Sequence, residues 1–409
     1  MTRLEKNWIL YDAANSSFTL LITTLFPVYF KYLTGKAGLS NTVYMSYWGY
    51  MASAATLVLV LTGPVLGAVA DAAKSRKGLF TASLLIGAAA CAGLGVVQSW
   101  VWFFGVFIIA KIGYSTSLIF YDAMLPDITT PENMDVVSSA GYGIGYIGST
   151  VPFLASLAIV MLRDKIGLSL AAAMNISFFL NAVWWVALSL PLLKKYRQVY
   201  FVEGGSHPVH RSLQNIKNTL KSIRKEKNIF LFLLAFFLYI DGVYTIIEMS
   251  TAYGTAIGLD STGLLIALLV TQFVAFPFAL IFARLSKKIA PAKLIIVCIL
   301  GYFFIALFAI QLDTQAEFWV LALCVGVFQG GIQALSRSYY GKIIPPEKSG
   351  EYFGIMDIFG KGAAFTGTML VSVITQITGN MKAGVSSVSI LILSGLIVFL
   401  IAGKKSRTA

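Results

Sequence analysis

Hydrophobic residues occur in this chain in long runs that are separated by short polar segments. A helix crosses about 30 Å of hydrocarbon with roughly 20 apolar residues, and the runs lack the alternation that is typical of membrane strands. Because only helices and closed barrels satisfy their backbone in lipid, the pattern predicts an all-α membrane protein with twelve transmembrane helices. The twelve runs lie near residues 8–33, 43–70, 78–97, 100–121, 136–162, 167–191, 228–254, 262–283, 294–311, 315–336, 352–379 and 383–402.

The composition indicates a membrane protein rather than a soluble one. Of the 409 residues, 57% are hydrophobic and 12% are charged, whereas soluble domains have about 25% charged residues. The first run follows two basic residues, as in a signal peptide. It is too long for one, however, contains Asp12 and lacks a cleavage site of small residues. We therefore interpret it as the first transmembrane helix.

Basic residues are distributed unevenly between the two sides of the predicted membrane. If the N-terminus is cytoplasmic, the inward loops and the termini carry 24 of the 31 Lys and Arg residues, and the outward loops carry five. This asymmetry follows the positive-inside rule and predicts a multi-pass protein of the cell membrane with both termini in the cytoplasm. The net charge of +13 then indicates attraction to anionic lipid at the cytoplasmic face, not nucleic-acid binding.

The longest polar interruption, residues 192–227, divides the predicted spans into six plus six. The expected domains are an N-terminal six-helix bundle at 1–191 and a C-terminal six-helix bundle at 228–409. Within the interruption, residues 211–228 predict a basic amphipathic helix on the inner leaflet, with a solvated charged linker as the alternative. The apolar face of this helix would consist of Leu213, Ile216, Leu220 and Ile223.

The two halves contain an internal repeat. A shift of 219 residues aligns residues 125–149 with residues 344–368 without a gap. Transporters are often built from such repeats, with the substrate handled between them near the bilayer midplane. The repeat therefore predicts two pseudo-symmetric bundles. The matched pairs include Pro126 and Pro345, Glu132 and Glu351, Gly141 and Gly360, Gly143 and Gly362, and Gly148 and Gly367.

The first predicted span carries a polar stripe in a segment that is otherwise apolar. At about 1.5 Å per residue, Asp12 would lie about one turn inside the cytoplasmic interface. We expect this helix face to border a hydrated cavity; the alternative is that Asp12 only caps or braces the interface. The stripe consists of Asp12, Asn15, Ser16, Thr19 and Thr23, at helical spacings of three and four.

The seventh predicted span repeats this arrangement with Asp241, Tyr244, Thr245, Glu248 and Thr251 on one face. Counted from the start of the span, Asp241 would lie roughly 20 Å deep, near the middle of the membrane. A bare carboxylate there costs about 2.5–3.5 kcal/mol, so the group is protonated, paired or hydrated. A carboxyl whose pKa is raised by burial can couple proton binding to a conformational change. Asp241 is therefore the main coupling candidate, with a static ion pair as the alternative.

The fourth predicted span places Lys111 about halfway across the membrane, followed by Tyr114. Lys111 is a candidate counter-charge for a buried acid, and the alternative is that it binds a substrate carboxylate. In the tenth span, the repeat partner of the fourth, Gln329 and Gln333 supply matching amides. We expect the first, fourth, seventh and tenth spans to line a central site.

A further charged pair lies in the eleventh predicted span. Asp357 and Lys361 are four residues apart with the acid first, which is the favourable order for an ion pair on a helix. The spacing predicts that the two side chains neutralise each other, and a direct role in transport is the alternative.

The segment GAVADAAKSRK, residues 67–77, joins the second and third spans. With six spans in each half, this run resembles the signature loop of the major facilitator superfamily. The resemblance implies the major facilitator fold, in which this loop braces the inward gate rather than contacting substrate. Its gating candidates here are Gly67, Asp71, Arg76 and Lys77.

The segment GIGYIG, residues 143–148, has the spacing of a dinucleotide-binding loop. It lies inside a predicted span, however, without the strand and βαβ unit that such a loop requires. Close packing between membrane helices explains its glycines better, and we expect no cofactor.

Several stretches resemble a particular branch of the superfamily, the family of the autophagy-related vacuolar effluxer and its bacterial relatives. The resemblance implies a twelve-helix fold that moves solute by alternating access, and the yeast member is associated with amino-acid efflux. The stretches are YDAANSSF…FPVYF (11–30), FYDAMLPDI (120–128), GYGIGYIGS (141–149), YIDGVYTII (239–247), SRSYYGKIIP (336–345) and EYFGIMDIFGKG (351–362).

Enzymatic chemistry and metal sites are not indicated by the sequence. The two histidines, His207 and His210, lie in the linker, and no nucleophile–base constellation occurs. The three cysteines, Cys91, Cys298 and Cys324, lie in apolar runs without metal-ligand spacing. We expect neither a metal nor an enzyme.

The sequence as a whole predicts a monomeric secondary active transporter for a small polar solute, with an amino acid as the first candidate. Asp241, Glu248, Asp12 and Lys111 would form a protonatable network that couples transport to protons. The alternatives are an uncoupled facilitator, a lipid or lysolipid transporter and, less favoured, a membrane sensor or scaffold that does not transport.

Overall fold

The computed structural model describes residues 1–72, 74–202, 219 and 223–405. Among these residues, twelve helices are long and apolar enough to cross a membrane, and the predicted all-α membrane fold is confirmed. The amphipathic helix predicted within residues 211–228 lies mostly outside the described residues.

The spans are numbered here in chain order. Two short helices, Leu125–Ile128 and the 3-10 turn Pro346–Lys348, precede spans 5 and 11. Span 1 consists of Arg3–Thr23 and Leu25–Lys36, and the others are Asn41–Asp71 (span 2), Arg76–Val96 (3), Trp100–Ala123 (4), Met134–Leu162 (5), Leu170–Lys195 (6), Lys227–Ala256 (7), Ser261–Leu285 (8), Pro291–Ile310 (9), Gln315–Ile343 (10), Ser349–Thr378 (11) and Met381–Lys405 (12).

Span 1 is interrupted at Thr24, although the hydrophobic run predicted one continuous segment. Thr24 leaves the helical region, with φ −127° and ψ −76°. Pro27 follows three residues later and has no N–H to bond the carbonyl of Thr23, whose oxygen its ring would also crowd. The proline therefore explains why the helix ends and restarts at this point.

Polar residues in the loops fix where several spans begin. Thr2 and Glu5 form a capping box at the start of span 1, and Thr314 and Glu317 form one at the start of span 10. Each box satisfies backbone N–H groups that have no partner within the helix. The loop composition therefore determines the helix starts, while the apolar runs determine the helix lengths.

The first compact unit comprises Met1–Ile128, Ile144–Val209 and Glu347–Gly354. Its most extensive helix contacts join spans 3 and 4, 3 and 6, 1 and 6, and 2 and 4. Spans 3 and 4 approach closely because glycine faces glycine: a Cβ atom on Gly113 would lie 2.6 Å from the Cα atom of Gly87. Small residues at helix contacts are the usual means of close packing in lipid.

The second compact unit comprises Thr129–Gly143, His210–Pro346 and Ile355–Ala409. Its most extensive contacts join spans 7 and 12, 8 and 10, 9 and 10, and 9 and 12. These four pairs are those of the first unit with six added to each span number. Spans 3 and 4 correspond to 9 and 10, 3 and 6 to 9 and 12, 1 and 6 to 7 and 12, and 2 and 4 to 8 and 10. The helix packing of each unit therefore agrees with the duplication that the sequence repeat predicts.

Each unit includes a short segment from the other half of the sequence. Residues 347–354, at the start of span 11, belong to the first unit, and residues 129–143, which lead into span 5, belong to the second. The repeat aligns residues 128–135 with 347–354, so the two exchanged segments overlap in the repeat alignment. The exchange is therefore reciprocal.

The glycine contact between spans 3 and 4 gives a stability prediction. Gly113→Ala should lower the thermal unfolding temperature in detergent, because the new methyl group overpacks a backbone contact at a cost of about 1–3 kcal/mol. Gly105→Ala, on the same helix, is the control, since a Cβ there has no atom within 4 Å. Equal unfolding temperatures for the two variants would contradict the proposed helix contact.

Candidate functional site

The polar stripe of span 1 is exposed at Thr19 and Thr23 and buried at Asp12 and Asn15. The Oδ2 atom of Asp12 accepts a hydrogen bond from the Tyr121 hydroxyl of span 4 at 2.8 Å. The exposed positions therefore lie in the later part of the stripe. That this face borders a hydrated cavity stays a prediction. Near Asp12, protein hydroxyl groups take the place of water.

An aromatic arrangement holds the Tyr121 hydroxyl near Asp12. The Tyr121 ring stacks on Trp8 with centroids 4.2 Å apart, and the Trp8 indole N–H donates to the Tyr121 carbonyl at 3.0 Å. The Tyr11 and Ser117 hydroxyls form a further hydrogen bond between spans 1 and 4, at 2.8 Å. Span 1 therefore presents Asp12 to a rigid group of aromatic rings and hydroxyls.

Asp241 in span 7 is fully buried, with 0% of its surface exposed. Its Oδ1 atom accepts a long hydrogen bond, 3.5 Å, from the Thr245 hydroxyl one turn later. Its Oδ2 atom has no hydrogen-bond partner among the described residues. Tyr244 is half-buried and Glu248 is exposed on the same helix. Among these four positions, Asp241 is the one whose carboxylate is buried with incomplete hydrogen bonding.

A glycine in span 11 makes room for the Asp241 carboxylate. A Cβ atom at Gly367 would lie 2.9 Å from Asp241 Cγ and would also collide with the Thr245 hydroxyl. Its repeat partner in span 5, Gly148, faces Ala13 of span 1 in the same way, with a Cβ-to-Cα distance of 3.1 Å. The repeated glycines therefore bring spans 5 and 11 close to the acid-bearing regions of spans 1 and 7.

The remaining candidates of the central site belong to different units. Lys111 and Tyr114 lie in the first unit, where Lys111 is half-buried and the Tyr114 hydroxyl bonds Thr19 at 2.7 Å. Gln329 and Gln333 lie in the second unit, buried and half-buried respectively. The structure thus brings Tyr114 together with the stripe of span 1.

The sequence did not predict an apolar cavity of about 320 Å³ within the second unit. Thr245 contributes to its wall, and none of its lining residues is charged. Along a helix with 3.6 residues per turn, Ile246, Met249 and Tyr253 lie on a different face of span 7 from Asp241, and Thr245 lies between the two faces. Its buried apolar lining residues include Leu312, Phe318, Leu321, Val371 and Val388.

The predicted pair in span 11 is formed. The Lys361 ammonium group contacts the Asp357 carboxylate one turn earlier, and both side chains are about one-fifth exposed. The two charges therefore neutralise each other on the surface of one helix.

Asp71 in the loop of residues 67–77 binds the start of span 11. Its carboxylate accepts the backbone N–H groups of Gly350 at 2.9 Å and Glu351 at 2.8 Å. Because the first N–H groups of a helix lack partners within it, a carboxylate there satisfies them and is favoured by the helix dipole. Gly67 permits this approach, since any Cβ at that position would collide with the Gly350 carbonyl.

Arg76 is fully buried and completes this arrangement. Its guanidinium donates to Asp71 at 2.5 Å, to Asp127 at 2.6 Å and to the Ser349 hydroxyl at 2.9 Å. We call Asp71, Arg76, Asp127 and Ser349 the Arg76 cluster. Sequence reasoning did not select Asp127 or Ser349; the only signal for Asp127 was its place in the aligned segment LPDI.

Lys77, the fourth candidate of this loop, is exposed. Its ammonium group makes no salt bridge or side-chain hydrogen bond with the described residues. It therefore lies beside the Arg76 cluster without belonging to it.

Comparison with known families matches residues 3–408 to the family described as "Vacuole effluxer Atg22 like". The chain belongs to the Atg22-like effluxer family. The match covers nearly the whole chain, and the stretches from which the resemblance was inferred are spread between residues 11 and 362.

A bacterial relative supports this membership. The "Uncharacterized MFS-type transporter YxiO" of Bacillus subtilis (strain 168) is 39% identical over 412 residues, which covers 100% of this chain and 96% of that protein. "Autophagy-related protein 22-1" of Aspergillus niger is 24% identical over 291 residues, covering 65% of this chain and 46% of that protein. The Atg22-like chain thus spans about half the length of the fungal relative.

Solved structures agree with the fold. The human organic anion transporter MFSD10 (TETRAN) matches with a TM-score of 0.75 over 97% of this chain and 99% of that chain, at 16% identity. At that identity the likeness shows the fold alone, and the fold is that of the major facilitator superfamily. This Atg22-like protein is a membrane transporter of the major facilitator type, not an enzyme.

The Arg76 cluster of the Atg22-like protein gives a second prediction. Arg76→Ala should lower the thermal unfolding temperature strongly, because two buried carboxylates lose their counter-charge, at a cost of about 3–5 kcal/mol. Lys77→Ala is the matched control, because it removes the neighbouring exposed positive charge. The assignment would be wrong if scanning fluorimetry gave the two variants the same unfolding temperature.

Proposed function

We propose that this Atg22-like protein is a secondary active transporter that moves a small polar solute, with an amino acid as the first candidate, by alternating access coupled to protons. The observation that carries the proposal is the state of Asp241. It is a fully buried carboxyl group in a membrane span, and one of its oxygens lacks a hydrogen-bond partner among the described residues.

A charged carboxylate in that position leaves a polar oxygen unsatisfied in an apolar setting, which costs free energy. Protonation of Asp241 removes the charge. Alternatively, a cationic solute group or a water molecule that approaches the carboxylate satisfies the unpaired oxygen. Two structural states of span 7 that differ in access to Asp241 would therefore differ in affinity for a proton. Such a difference is what allows proton binding to bias a two-state equilibrium.

The surroundings of Asp241 favour a solute with both polar and apolar parts. Thr245 bonds Asp241 and also lines the uncharged cavity of about 320 Å³, which is within the usual size range of small-molecule sites. The polar group of an amino acid would bind near Asp241 and Thr245, and its side chain would occupy the cavity. The polar stripe of span 7 supplies further hydrogen-bonding groups.

The Arg76 cluster would serve as the gate of the proposed transport cycle. Its contacts bind the first turn of span 11 to the loop between spans 2 and 3, through two backbone N–H groups and one serine hydroxyl. Alternating access requires contacts that form in one state and break in another. A small set of strong, buried contacts at the start of one span can serve as such a switch.

The orientation of the protein follows from the distribution of Lys and Arg. We place both termini in the cytoplasm and the protein in the cell membrane, because the basic residues concentrate in alternate loops. In this orientation the loop of residues 67–77 faces the cytoplasm, where its exposed basic residues, including Lys77, lie near anionic lipid.

Lysolipid transport is the second candidate function, and the uncharged lining of the cavity favours it. An acyl chain would occupy the cavity in place of an amino-acid side chain. The two candidates differ in the part of the solute that would occupy the uncharged cavity.

Transport by proteoliposomes tests the function. With a radiolabelled amino-acid mixture and an imposed pH gradient, the wild-type protein should accumulate label. Asp241→Asn should reduce gradient-driven accumulation at least about tenfold, because the amide has the same shape but cannot take up a proton. Asp313→Asn is the control: this acid is exposed in a loop and pairs with Lys382 at 3.0 Å.

Full gradient-driven accumulation by Asp241→Asn would overturn proton coupling through this residue. Exchange of label without any response to the pH gradient, in the wild type as well, would identify an uncoupled facilitator. Movement of a labelled lysolipid, unaffected by Asp241→Asn, would replace the amino-acid proposal with the second candidate.

A further inference from the structure

The chain that leaves span 6 does not enter the linker directly. After Lys195, at Tyr196, the backbone becomes extended, with φ −66° and ψ 133°, and residues 196–202 cross the loop between spans 2 and 3 within the first unit. We call residues 196–202 the strap. The sequence analysis placed these residues in the polar interruption of residues 192–227, and in the structure they form specific hydrogen bonds.

The strap satisfies the carboxylate of Asp127, whose side chain is fully buried. The Oδ1 atom accepts the backbone N–H groups of Val199 at 3.0 Å and Tyr200 at 2.9 Å. The Oδ2 atom accepts the Tyr196 hydroxyl at 2.5 Å in addition to Arg76. Burial raises the pKa of Tyr196, so its hydroxyl remains a donor. Three of these four hydrogen bonds to Asp127 therefore come from the strap.

The strap also caps the two helix ends that flank the loop. At the start of span 3, Ser75 makes no side-chain capping bond, and the Oε1 atom of Gln198 accepts the Arg76 N–H instead, at 3.1 Å. At the end of span 2, the Ala70 carbonyl accepts the Gln198 side-chain N–H at 3.1 Å. These are the helix-terminal groups that lack partners within their own helices.

Two further contacts extend the strap along the loop. The Val202 N–H donates to the Asp71 carbonyl at 2.9 Å. The Lys74 ammonium lies over the Phe201 ring, 4.5 Å from its centroid, within the range of a cation–π interaction. The strap therefore contacts the backbone of Asp71 and of Arg76, the two loop residues of the Arg76 cluster.

We infer that the strap is a positioning element of the gate, which holds Asp71 and Arg76 in the geometry that binds the first turn of span 11. Its hydrogen bonds run to Asp127 and to the backbone of Asp71 and Arg76, so its effect on transport would be exerted through the Arg76 cluster. The consequence for transport rests on the proposed function, whereas the positioning effect can be measured without it.

A proline substitution isolates a single backbone donor of the strap. Val199→Pro removes the N–H that Asp127 accepts, whereas Val199→Ala retains it. The Val199 side chain is 59% exposed, so neither change disturbs buried packing. Tyr196→Phe is the second test, because it removes only the hydroxyl that donates to the other oxygen of Asp127.

Hydrogen exchange of the purified full-length protein, followed by mass spectrometry, measures the effect. Val199→Pro should accelerate amide exchange about five- to tenfold in residues 347–354, whose Gly350 and Glu351 N–H groups bind Asp71. Tyr196→Phe should accelerate it in the same segment, and Val199→Ala should match the wild type. Residues 291–310 of span 9 serve as the internal reference and should not change.

Unchanged exchange in residues 347–354 for both Val199→Pro and Tyr196→Phe would overturn the inference. Equal acceleration in the reference segment would also overturn it, because the strap would then support general stability rather than the gate. If Val199→Pro does not fold, Tyr196→Phe alone decides. If exchange responds as expected but no solute is transported, the positioning role stands and the proposed function fails.

Discussion

Arg76 and the two carboxylates beside it are the interaction on which the rest of the structure depends. Two acids and one guanidinium leave one negative charge in a buried position, and the start of span 11 compensates for it with two backbone N–H groups. A helix N-terminus carries roughly half a positive charge. The cluster therefore requires span 11 for its own electrostatic balance, and span 11 requires the cluster for its first hydrogen bonds. This mutual need explains why residues 347–354 belong to the first unit.

Asp12 and Asp241, the two aspartates of the polar stripes, are also buried carboxylates that need hydrogen-bond donors, and the protein supplies these donors to different extents. Asp12 accepts a tyrosine hydroxyl that aromatic stacking holds in place. Asp241 receives a long hydrogen bond from Thr245 and interacts with the Gly367 backbone, but it retains an oxygen that has no partner among the described residues. A group that the protein satisfies fully is suited to a static role. A group left incompletely satisfied is suited to binding a proton or a solute, and this difference directs the proposed coupling to span 7.

Sequence patterns predicted the features that depend on local chemistry. Apolar runs determined the twelve spans, the repeat determined the shared helix pairing of the two units, and the motif at 67–77 located Asp71 and Arg76. The break at Thr24 was readable from Pro27 and was missed. The roles of Asp127, Ser349 and Gln198 were not predictable in this way, because each depends on contacts between segments far apart in the chain. The motif included both Arg76 and Lys77, but it could not show that Arg76 is buried and Lys77 exposed, because packing determines the exposure of each side chain.

The central claim is that Asp241 changes its protonation during the transport cycle. Infrared difference spectroscopy of the reconstituted protein, recorded with and without solute at constant pH, measures this directly through the carbonyl stretch of protonated carboxyl groups. The account predicts a solute-dependent carboxyl band that disappears in Asp241→Asn and persists in Asp313→Asn. A band that is unaffected by Asp241→Asn, or no band in the wild type, would contradict it.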